Sequence, residues 1–403
     1  MSTPQIENVI TKDRNVLVVL QEENERNAVT NDLIARFCGQ VVYSIADIGK
    51  KRVYVCGDIS RLKNESGPFY IIKELSSNYE NYNTQVITLG EVPIVVSNAG
   101  VYFRKLFTDG DYFNKIKSEH AFQELTESNK PSKAFRKGIY LTNITRTENE
   151  PGNEVLNFRL LRCSSNLTGP TDNFRATDHT IINTLNDAVK YVFEHETELN
   201  HVLAQIYENK AKTEDNDKEV KSRIKAHSDK TKDMPKAGLI VFCTFYDNAD
   251  VEHLKQSPTD PFDRVYKDVT GFTKLHFKLK STVTDPALDK EFSVTLYPNS
   301  VFMIPLSTNR LYTHEIRPSM LNAERIPTRL GYVVRCSNLE AQYMNDQTYI
   351  SDNGNFIKLE EMTAETQEGL KNSYREENIT EEMITYGKIH FSMNAGDYEK
   401  PIY

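Results

Sequence analysis

Two residues with metal-binding side chains, His227 and Asp229, lie two positions apart in the segment AHSDK. Side chains at positions i and i+2 of a strand point to the same face, so both can reach one ion. A later histidine would complete two imidazoles and one carboxylate, which occupy one face of an octahedral iron(II) and leave the other positions open. Alone the pair is weak evidence, because 9 His and 57 acidic residues give roughly one His-x-acid match by chance. The alternative is a surface histidine at a strand end.

Three later histidines compete for the third ligand position. His314 follows an apolar strand and a polar turn in NSVFMIPLSTNRLYTHEIRPS. His253 lies in a predicted loop, and His276 lies in the alternating strand LHFKL. On spacing alone, His276 remains the serious rival of His314.

Two arginines, Arg329 and Arg335, bracket the predicted strand RLGYVVR. They are six positions apart, so both side chains share one face with Gly331 and Val333. A buried arginine is costly unless it is paired. A dicarboxylate would pair it, since guanidinium binds carboxylate through two parallel hydrogen bonds. The alternative is a pair of solvent-facing arginines on an edge strand.

The segments HSD, NSVFMIPLSTNRLYTHEI and RLGYVVR together resemble the AlkB-like branch of the iron(II)- and 2-oxoglutarate-dependent dioxygenases. That family has His-x-Asp, then a strand with a second histidine, then two arginines separated by five residues. The resemblance covers roughly residues 203–338, with a start nearer Pro93 also considered. It implies an α+β fold with a double-stranded β-helix (jelly-roll) core, flanking helices and a small N-terminal extension.

The resemblance also assigns roles to single residues. Three positions match the family's metal ligands: His227, Asp229 and His314. No catalytic residue is implied beyond these ligands. Arg329 would hold the distal carboxylate of 2-oxoglutarate, and Arg335 would lie beside the cosubstrate's other end. Tyr207 resembles the tyrosine that helps to bind 2-oxoglutarate. The implied cofactors are Fe(II) and 2-oxoglutarate as cosubstrate, with O2 as the second substrate and ascorbate as an optional reductant.

Departures from the family pattern bear on the substrate. Gly331 replaces the polar residue between the two arginines, and Thr231 replaces the acidic residue two positions after the metal aspartate. The chain has no Trp, so a base-stacking residue would have to be Tyr or Phe. These changes leave the metal and cosubstrate assignments intact but argue against repair of alkylated bases.

Composition indicates the cellular compartment and the kinds of partner expected for the protein. The five cysteines are scattered without Cys-x-x-Cys spacing, which is typical of a reducing compartment. No secretory signal and no apolar run of about 18 residues is present, so an intracellular protein of the cytoplasm or nucleus, without membrane attachment, is predicted. The formal charge of −8 argues mildly against binding of duplex DNA, although nucleic acid stays open as a partner.

The 403 residues can form two ordinary domains or one large one. Residues 1–92 are predicted to form an α/β or β-rich extension, residues 93–365 the dioxygenase domain, and residues 366–403 a partly helical tail. A helix is expected from Asp178 to about Glu198. Short strands separated by turn residues indicate a sandwich or barrel. They are predicted at Ser222–Ala226, Leu239–Phe245, Lys274–Leu279, Phe292–Leu296, Val301–Ile304, Leu311–Ile316 and Leu330–Arg335.

Substrate recognition is the least determined property. The segment LRCSSNLTGPTDNF is interpreted as a lid that presents polar groups, with an ordinary surface loop as the alternative. The predicted substrate-binding residues are Arg162, Asn166, Thr171, Asn173 and Thr231. Arg136 and Lys137 either contact a phosphate or are simple solvated charges. Three functions stay open: a dioxygenase acting on a nucleobase or nucleotide, a dioxygenase acting on a protein side chain or small molecule, and a non-catalytic barrel used for binding.

Overall fold

A computed structural model describes residues 7–44, 48, 50–62, 67–80, 85–108, 110–127, 130–150, 152–163, 167–212 and 218–403. Within these ranges the protein is a mixed α/β structure with many strands in several sheets and six α-helices. None of the helices described is both long and apolar enough to cross a membrane.

The N-terminal part forms a parallel sheet of five strands in the order β2-β1-β3-β4-β5. Its elements are β1 (Asn15–Leu20), α1 (Ala28–Arg36), β2 (Gln40–Val42), β3 (Arg52–Asp58), β4 (Phe69–Ser77) and β5 (Gln85–Ile87). All of β1 is buried, because alternate residues enter two different hydrophobic clusters. A strand covered on both faces has a continuous apolar sequence, and VLVVL in β1 has this character.

The remaining elements follow in chain order. The first group is β6 (Ile94–Val96), β7 (Gly100–Phe103), α2 (Tyr112–Glu119), β8 (Gln123–Glu127), β9 (Lys130–Thr142), β10 (Thr145–Glu150), β11 (Asn153–Leu160), β12 (Asp172–Asn173), α3 (Ala176–Val192) and β13 (His201–Tyr207). The second group is β14 (Ile224–His227), β15 (Leu239–Tyr246), α4 (Asn248–Val251), β16 (Lys255–Gln256), β17 (Arg264–Tyr266), β18 (Val269–Thr270), β19 (Lys274–Leu279), β20 (Glu291–Thr295) and β21 (Ser300–Pro305). The last group is α5 (Leu306–Leu311), β22 (Tyr312–Arg317), β23 (Arg329–Arg335), β24 (Leu339–Met344), β25 (Gln347–Asp352), β26 (Asn355–Lys358) and α6 (Ala364–Ile379).

A nine-stranded sheet is the main layer, in the order β12-β9-β13-β23-β15-β21-β7-β6 with β8 paired to β9. In its central strand β15, Val241 and Cys243 pack in the cluster that contains α3, while Ile240 and Phe242 pack in a different cluster. The alternation follows from the period of two along a strand. In the neighbouring β23, Tyr332 lies on the α3 side, so the side chains of Arg329 and Arg335 point to the opposite side.

The second cluster also contains the four-stranded sheet β14-β22-β19-β20, so the two sheets pack on each other through a shared apolar core. Phe277 and Tyr312 of the smaller sheet are fully buried there beside Phe302 of the larger one. Residues of β1 and β3 enter the same cluster. Arg329 and Arg335 therefore face the space between two packed sheets rather than solvent.

Two smaller sheets complete the architecture: β10-β11-β24-β25-β26 and β16-β17-β18. Most predicted strands occur within a residue or two of their expected bounds, but two predictions were wrong in detail. The polar turn before His314 contains the helix α5, which begins directly after Pro305. The helix expected to reach Glu198 ends at Val192, because Phe193 is extended, fully buried and bridged to Ile10.

Candidate metal centre

His227 and His314 are cross-strand partners at the end of the β14–β22 ladder. Their ring centroids are 4.5 Å apart. The Nδ1–H of His227 donates to the carbonyl oxygen of Lys225 at 2.8 Å, which leaves Nε2 with a free lone pair. The pairing register thus brings together two imidazoles that are 87 residues apart in the sequence.

Asp229 supplies a carboxylate to the same point. Its Oδ1 lies 3.5 Å from Nε2 of His227 and 3.7 Å from Nε2 of His314. Single ligand atoms of the three residues all lie within 4.8 Å of one another. Two imidazole nitrogens and one carboxylate oxygen in this arrangement suit a divalent metal that keeps open positions, such as iron(II).

The rival histidines lie elsewhere. In β19, His276 pairs with Glu315 whereas its neighbour Phe277 pairs with His314. Adjacent residues of a strand face opposite sides, so His276 points away from the cluster. The Nδ1 of His276 hydrogen bonds the hydroxyl of Ser293 instead. His253 is exposed and contacts the carbonyl oxygen of Arg325.

Arg335 controls the charge of the third ligand. Its Nε and Nη2 donate to Oδ2 of Asp229 at 2.8 and 2.5 Å, so Oδ1 is left to face the histidines. Burial opposes ionisation of Asp229, but the Arg335 charge prevails and holds the carboxyl pKa well below its usual range. The resemblance implies that Arg335 lies beside the cosubstrate, and in this structure its direct partner is Asp229.

His314 is a buried imidazole that is held neutral. Its side chain is 4% exposed, with the rings of Phe242 and Phe277 centred 5.3 and 5.7 Å away. Burial, and then the neighbouring imidazole of His227, lower the pKa of His314 to about 3. A neutral imidazole carries the lone pair that a metal requires.

Asn309 in α5 fixes the backbone of the loop that contains Asp229. Its Oδ1 accepts from the backbone N–H of Asp229 at 2.8 Å, and its Nδ2 donates to the Asp229 carbonyl oxygen at 3.0 Å. The side chain is fully buried, so both amide groups have their partners without competition from water. Sequence reasoning treated this segment as a polar turn and missed the role of Asn309.

Helix α6 holds the loop from the other side. Asn378 accepts the backbone N–H of Ser228 at 2.7 Å. Glu377 accepts both the backbone N–H and the hydroxyl of Thr231, at 3.1 and 2.5 Å. Residues of the predicted C-terminal tail therefore hold the backbone on both sides of Asp229.

The guanidinium of Arg329 is buried, and it lies on the same face of the nine-stranded sheet as Tyr207 of β13. It stacks on the ring of Tyr207 with 3.9 Å from Cζ to the ring centroid, and the Tyr207 hydroxyl donates to Oε1 of Gln205. Nε and Nη2 of Arg329 are buried and have no hydrogen-bond partner within the described residues. The buried hydroxyl of Thr244, two residues before Tyr246 on the adjacent strand, is likewise unpartnered there.

Unpartnered buried donors are costly, so this cradle fits an anionic ligand. A carboxylate would take the Arg329 donors in a bidentate arrangement, as the distal carboxylate of 2-oxoglutarate requires. Gly331 keeps the cradle open, because a Cβ there would lie 2.8 Å from Nη1 of Arg329 and 3.1 Å from Cε2 of Tyr207. A glycine at position 331 thus has a steric reason in this structure.

The described residues among those predicted to bind substrate contact the C-terminal segment. Arg162 is buried, pairs with Asp233, and donates to the carbonyl oxygens of Ile389 and Phe391. The Thr171 carbonyl oxygen accepts a hydrogen bond from the backbone N–H of Ile402. The backbone N–H of Asn173 donates to the carbonyl oxygen of Ile402. The hydroxyl of Thr231 bonds Glu377, as described above. Asn166 lies outside the described residues. The contacts give the described positions a structural role in anchoring residues 377–402.

A second cluster of possible ligands, at His120, is a buried ion pair. The two ring nitrogens of His120 contact Asp172 and Asp178 at 2.7 and 2.8 Å. Burial alone would lower the His120 pKa, but the two carboxylates prevail and raise it to about 9. Both ring nitrogens are therefore occupied by hydrogen bonds and have no lone pair for a metal.

Comparison with known proteins adds little to this geometry. No family model matches the chain, and no curated protein matches it. A solved structure described as "The structure of OsALKBH1" aligns with a TM-score of 0.33 and 12% identity, and the alignment covers 59% of this chain and 96% of that chain. At this TM-score the match carries no argument about function, which has to be argued from the site.

Proposed function

We propose that the protein is an iron(II)- and 2-oxoglutarate-dependent dioxygenase of the AlkB-like type, which hydroxylates a C–H bond of its substrate. The proposal rests on the relative position of two sets of side chains, the three possible metal ligands and an arginine without an ion-pair partner among the described residues. His227, Asp229 and His314 converge on one point, and Arg329 presents unpartnered donors to the same space between the sheets. A non-catalytic barrel would have no physical reason to keep a buried arginine without a carboxylate.

The proposed architecture is a double-stranded β-helix built from the nine-stranded and four-stranded sheets. Residues 93–365 would form this catalytic domain, with residues 1–92 as an extension and residues 366–403 as a tail. The mainly antiparallel pairing within both sheets and the core that they share support this assignment.

The chain's own residues would act by binding and positioning. The Nε2 atoms of the two histidines and Oδ1 of Asp229 would hold the iron, and Arg335 would keep the carboxylate ionised through its contact with Oδ2. Arg329 would bind the distal carboxylate of 2-oxoglutarate. When bound, iron with 2-oxoglutarate and O2 supplies the oxidising chemistry that hydroxylates a substrate as 2-oxoglutarate becomes succinate and CO2. The rings beside His314 would limit access of water.

The proposal is tested by quantifying succinate from protein incubated with iron(II), 2-oxoglutarate and ascorbate in air. Wild-type protein should form succinate slowly even without its prime substrate. His227→Ala and Arg329→Gln should abolish it, while His179→Gln, an exposed histidine on α3, should leave it unchanged. Succinate formation that both site variants retain would refute the proposal.

The same assay distinguishes the substrate classes. The family resemblance favours a nucleobase or nucleotide, whereas the acidic net charge favours a protein side chain or small molecule. Methylated nucleosides and oligonucleotides on one side, and peptides on the other, are added to the wild-type reaction. The class that stimulates succinate formation identifies the substrate.

A further inference from the structure

Four arginine side chains are buried in the described part of the chain: Arg136, Arg162, Arg329 and Arg335. Two of them have carboxylate partners, since Arg162 pairs with Asp233 and Arg335 pairs with Asp229. The other two form no ion pair with any described residue, and each has a buried Nε without a hydrogen-bond partner. A buried guanidinium without an anion is strongly unfavourable, so the two unpaired arginines require an explanation.

The unpaired arginines are neighbours across the nine-stranded sheet. Tyr207 in β13 pairs with Arg136 in β9 on one side and with Arg329 in β23 on the other. Residues directly opposite each other in adjacent strands point to the same face. Arg136 and Arg329 therefore flank Tyr207 at two strand spacings, about 9.5 Å between backbones. Both side chains are long enough to meet at a single ligand above the tyrosine ring.

The backbone next to Arg136 is in an unusual conformation. Phe135 has a φ of +51°, in the left-handed region that a bulky side chain rarely adopts. Its carbonyl oxygen accepts from the backbone N–H of Glu208 and from the hydroxyl of Ser222, which hold this conformation in place. Strain of this kind persists where neighbouring contacts enforce it, and it is concentrated at binding sites. Here it occurs directly before Arg136, where the pairing of β9 with β13 begins.

We propose that Arg136 is a second positioning residue for the cosubstrate, which binds the distal carboxylate of a five-carbon dicarboxylate together with Arg329, from the opposite side of Tyr207. This inference rests on the proposed function and deepens it. A carboxylate between two guanidiniums accepts hydrogen bonds from both and neutralises part of their charge. The sequence interpretation of Arg136 as a phosphate contact or solvated charge did not anticipate its burial.

The next residue, Lys137, provides a matched control. It lies on the opposite face of β9, where it is partly exposed and paired with Glu208 and Glu124. Lys137→Gln therefore removes one positive charge from the same strand without touching the pocket. Arg136→Gln removes the proposed contact, and Arg136→Lys keeps the charge while losing the planar fork.

The test measures glutarate binding to metal-free protein by calorimetry, since glutarate has the two carboxylates of the cosubstrate but no metal-chelating keto group. Wild type and Lys137→Gln should bind equally. Arg136→Gln and Arg329→Gln should each weaken binding about tenfold to a hundredfold, which corresponds to loss of a charge-assisted hydrogen bond. In turnover, Arg136→Gln should raise KM for 2-oxoglutarate with kcat little changed. Circular dichroism and melting temperature establish that each variant is folded.

Two results would overturn the inference. The first would leave the proposed function standing, and the second would refute the cosubstrate pocket as well. If Arg329→Gln weakens glutarate binding while Arg136→Gln binds like wild type, Arg136 has no part in the pocket and the proposed function stands. If wild-type protein binds no glutarate and forms no succinate, the cosubstrate pocket itself is refuted together with this inference.

Discussion

Arg335 donates two hydrogen bonds to one carboxylate oxygen of Asp229 and leaves the other oxygen directed at two imidazoles. One side chain thus keeps the carboxylate ionised and selects which of its oxygens is free. Contacts of this kind around a metal ligand commonly change metal affinity by 10- to 100-fold. The relationship makes Arg335 part of the proposed metal centre even though it would donate no ligand atom.

Replacement of Arg335 by Gln should weaken iron(II) binding about 10- to 100-fold at neutral pH, because Asp229 loses the charge that holds its pKa low. Anaerobic titration with iron(II), followed by calorimetry, measures the change. Arg317→Gln, an exposed arginine on β22, is the control and should bind like wild type. Unchanged affinity in Arg335→Gln would show that Asp229 needs no partner.

Substitution of Gly331 by Ala should raise KM for 2-oxoglutarate several-fold. The new Cβ would contact the Arg329 guanidinium, which must leave its stacked position on Tyr207. Steady-state kinetics at saturating iron measure KM and kcat separately. Gly369→Ala on α6 has open space around the added carbon and should leave both unchanged. A normal KM in Gly331→Ala would mean that the stacked position does not matter for binding.

The convergence of His227, Asp229 and His314 could be predicted from the sequence, because their spacing and order indicate which faces they share. His227 and Asp229 are separated by one residue at a strand end, and the order of His314 and the two arginines follows a known pattern. The contacts that position them could not be predicted in this way. Asn309 and Asn378 reach the backbone beside Asp229 through tertiary packing between distant elements, and no local periodicity indicates such contacts.

The fold could be predicted to a similar extent. Short apolar runs separated by turn residues gave the strands of the two packed sheets, including LIVFCTFY in β15. The same signals do not indicate whether paired strands run parallel or antiparallel. The sequence therefore does not predict that the N-terminal sheet is parallel. The sequence predicts a turn before His314 rather than helix α5, because α5 has only six residues and lacks a clear apolar period.

Replacement of Asn378 by Ala should destabilise the protein by about 1–3 kcal/mol, since the backbone N–H of Ser228 would lose its acceptor. The same change should loosen the loop that contains Asp229 and lower iron affinity. Urea unfolding gives the free energy of unfolding. Asn372→Ala, at an exposed position of the same helix, should change it by less than about 0.5 kcal/mol. Equal stability of the two variants would argue that α6 does not hold the loop.

Stability should depend on pH through His120, whose pKa the buried Asp172 and Asp178 raise to about 9. A raised folded-state pKa means that the stabilisation is complete below about 6.5 and is lost as the pH rises through about 9. Urea unfolding across this range should show declining stability in the wild type and a flatter profile in His120→Gln. The exposed His179→Gln should follow the wild type. Parallel profiles for wild type and His120→Gln would contradict the role of His120.

The most direct test of the central claim is anaerobic calorimetry of 2-oxoglutarate binding to iron-loaded protein. The geometry predicts one binding site per chain, whose affinity for 2-oxoglutarate rises when iron is bound. The affinity should fall both in His314→Ala, which removes a proposed metal ligand, and in Arg329→Gln, which removes the carboxylate partner. Binding of 2-oxoglutarate with the same affinity in the presence and absence of iron, and in both variants, would contradict the claim that these residues form one site.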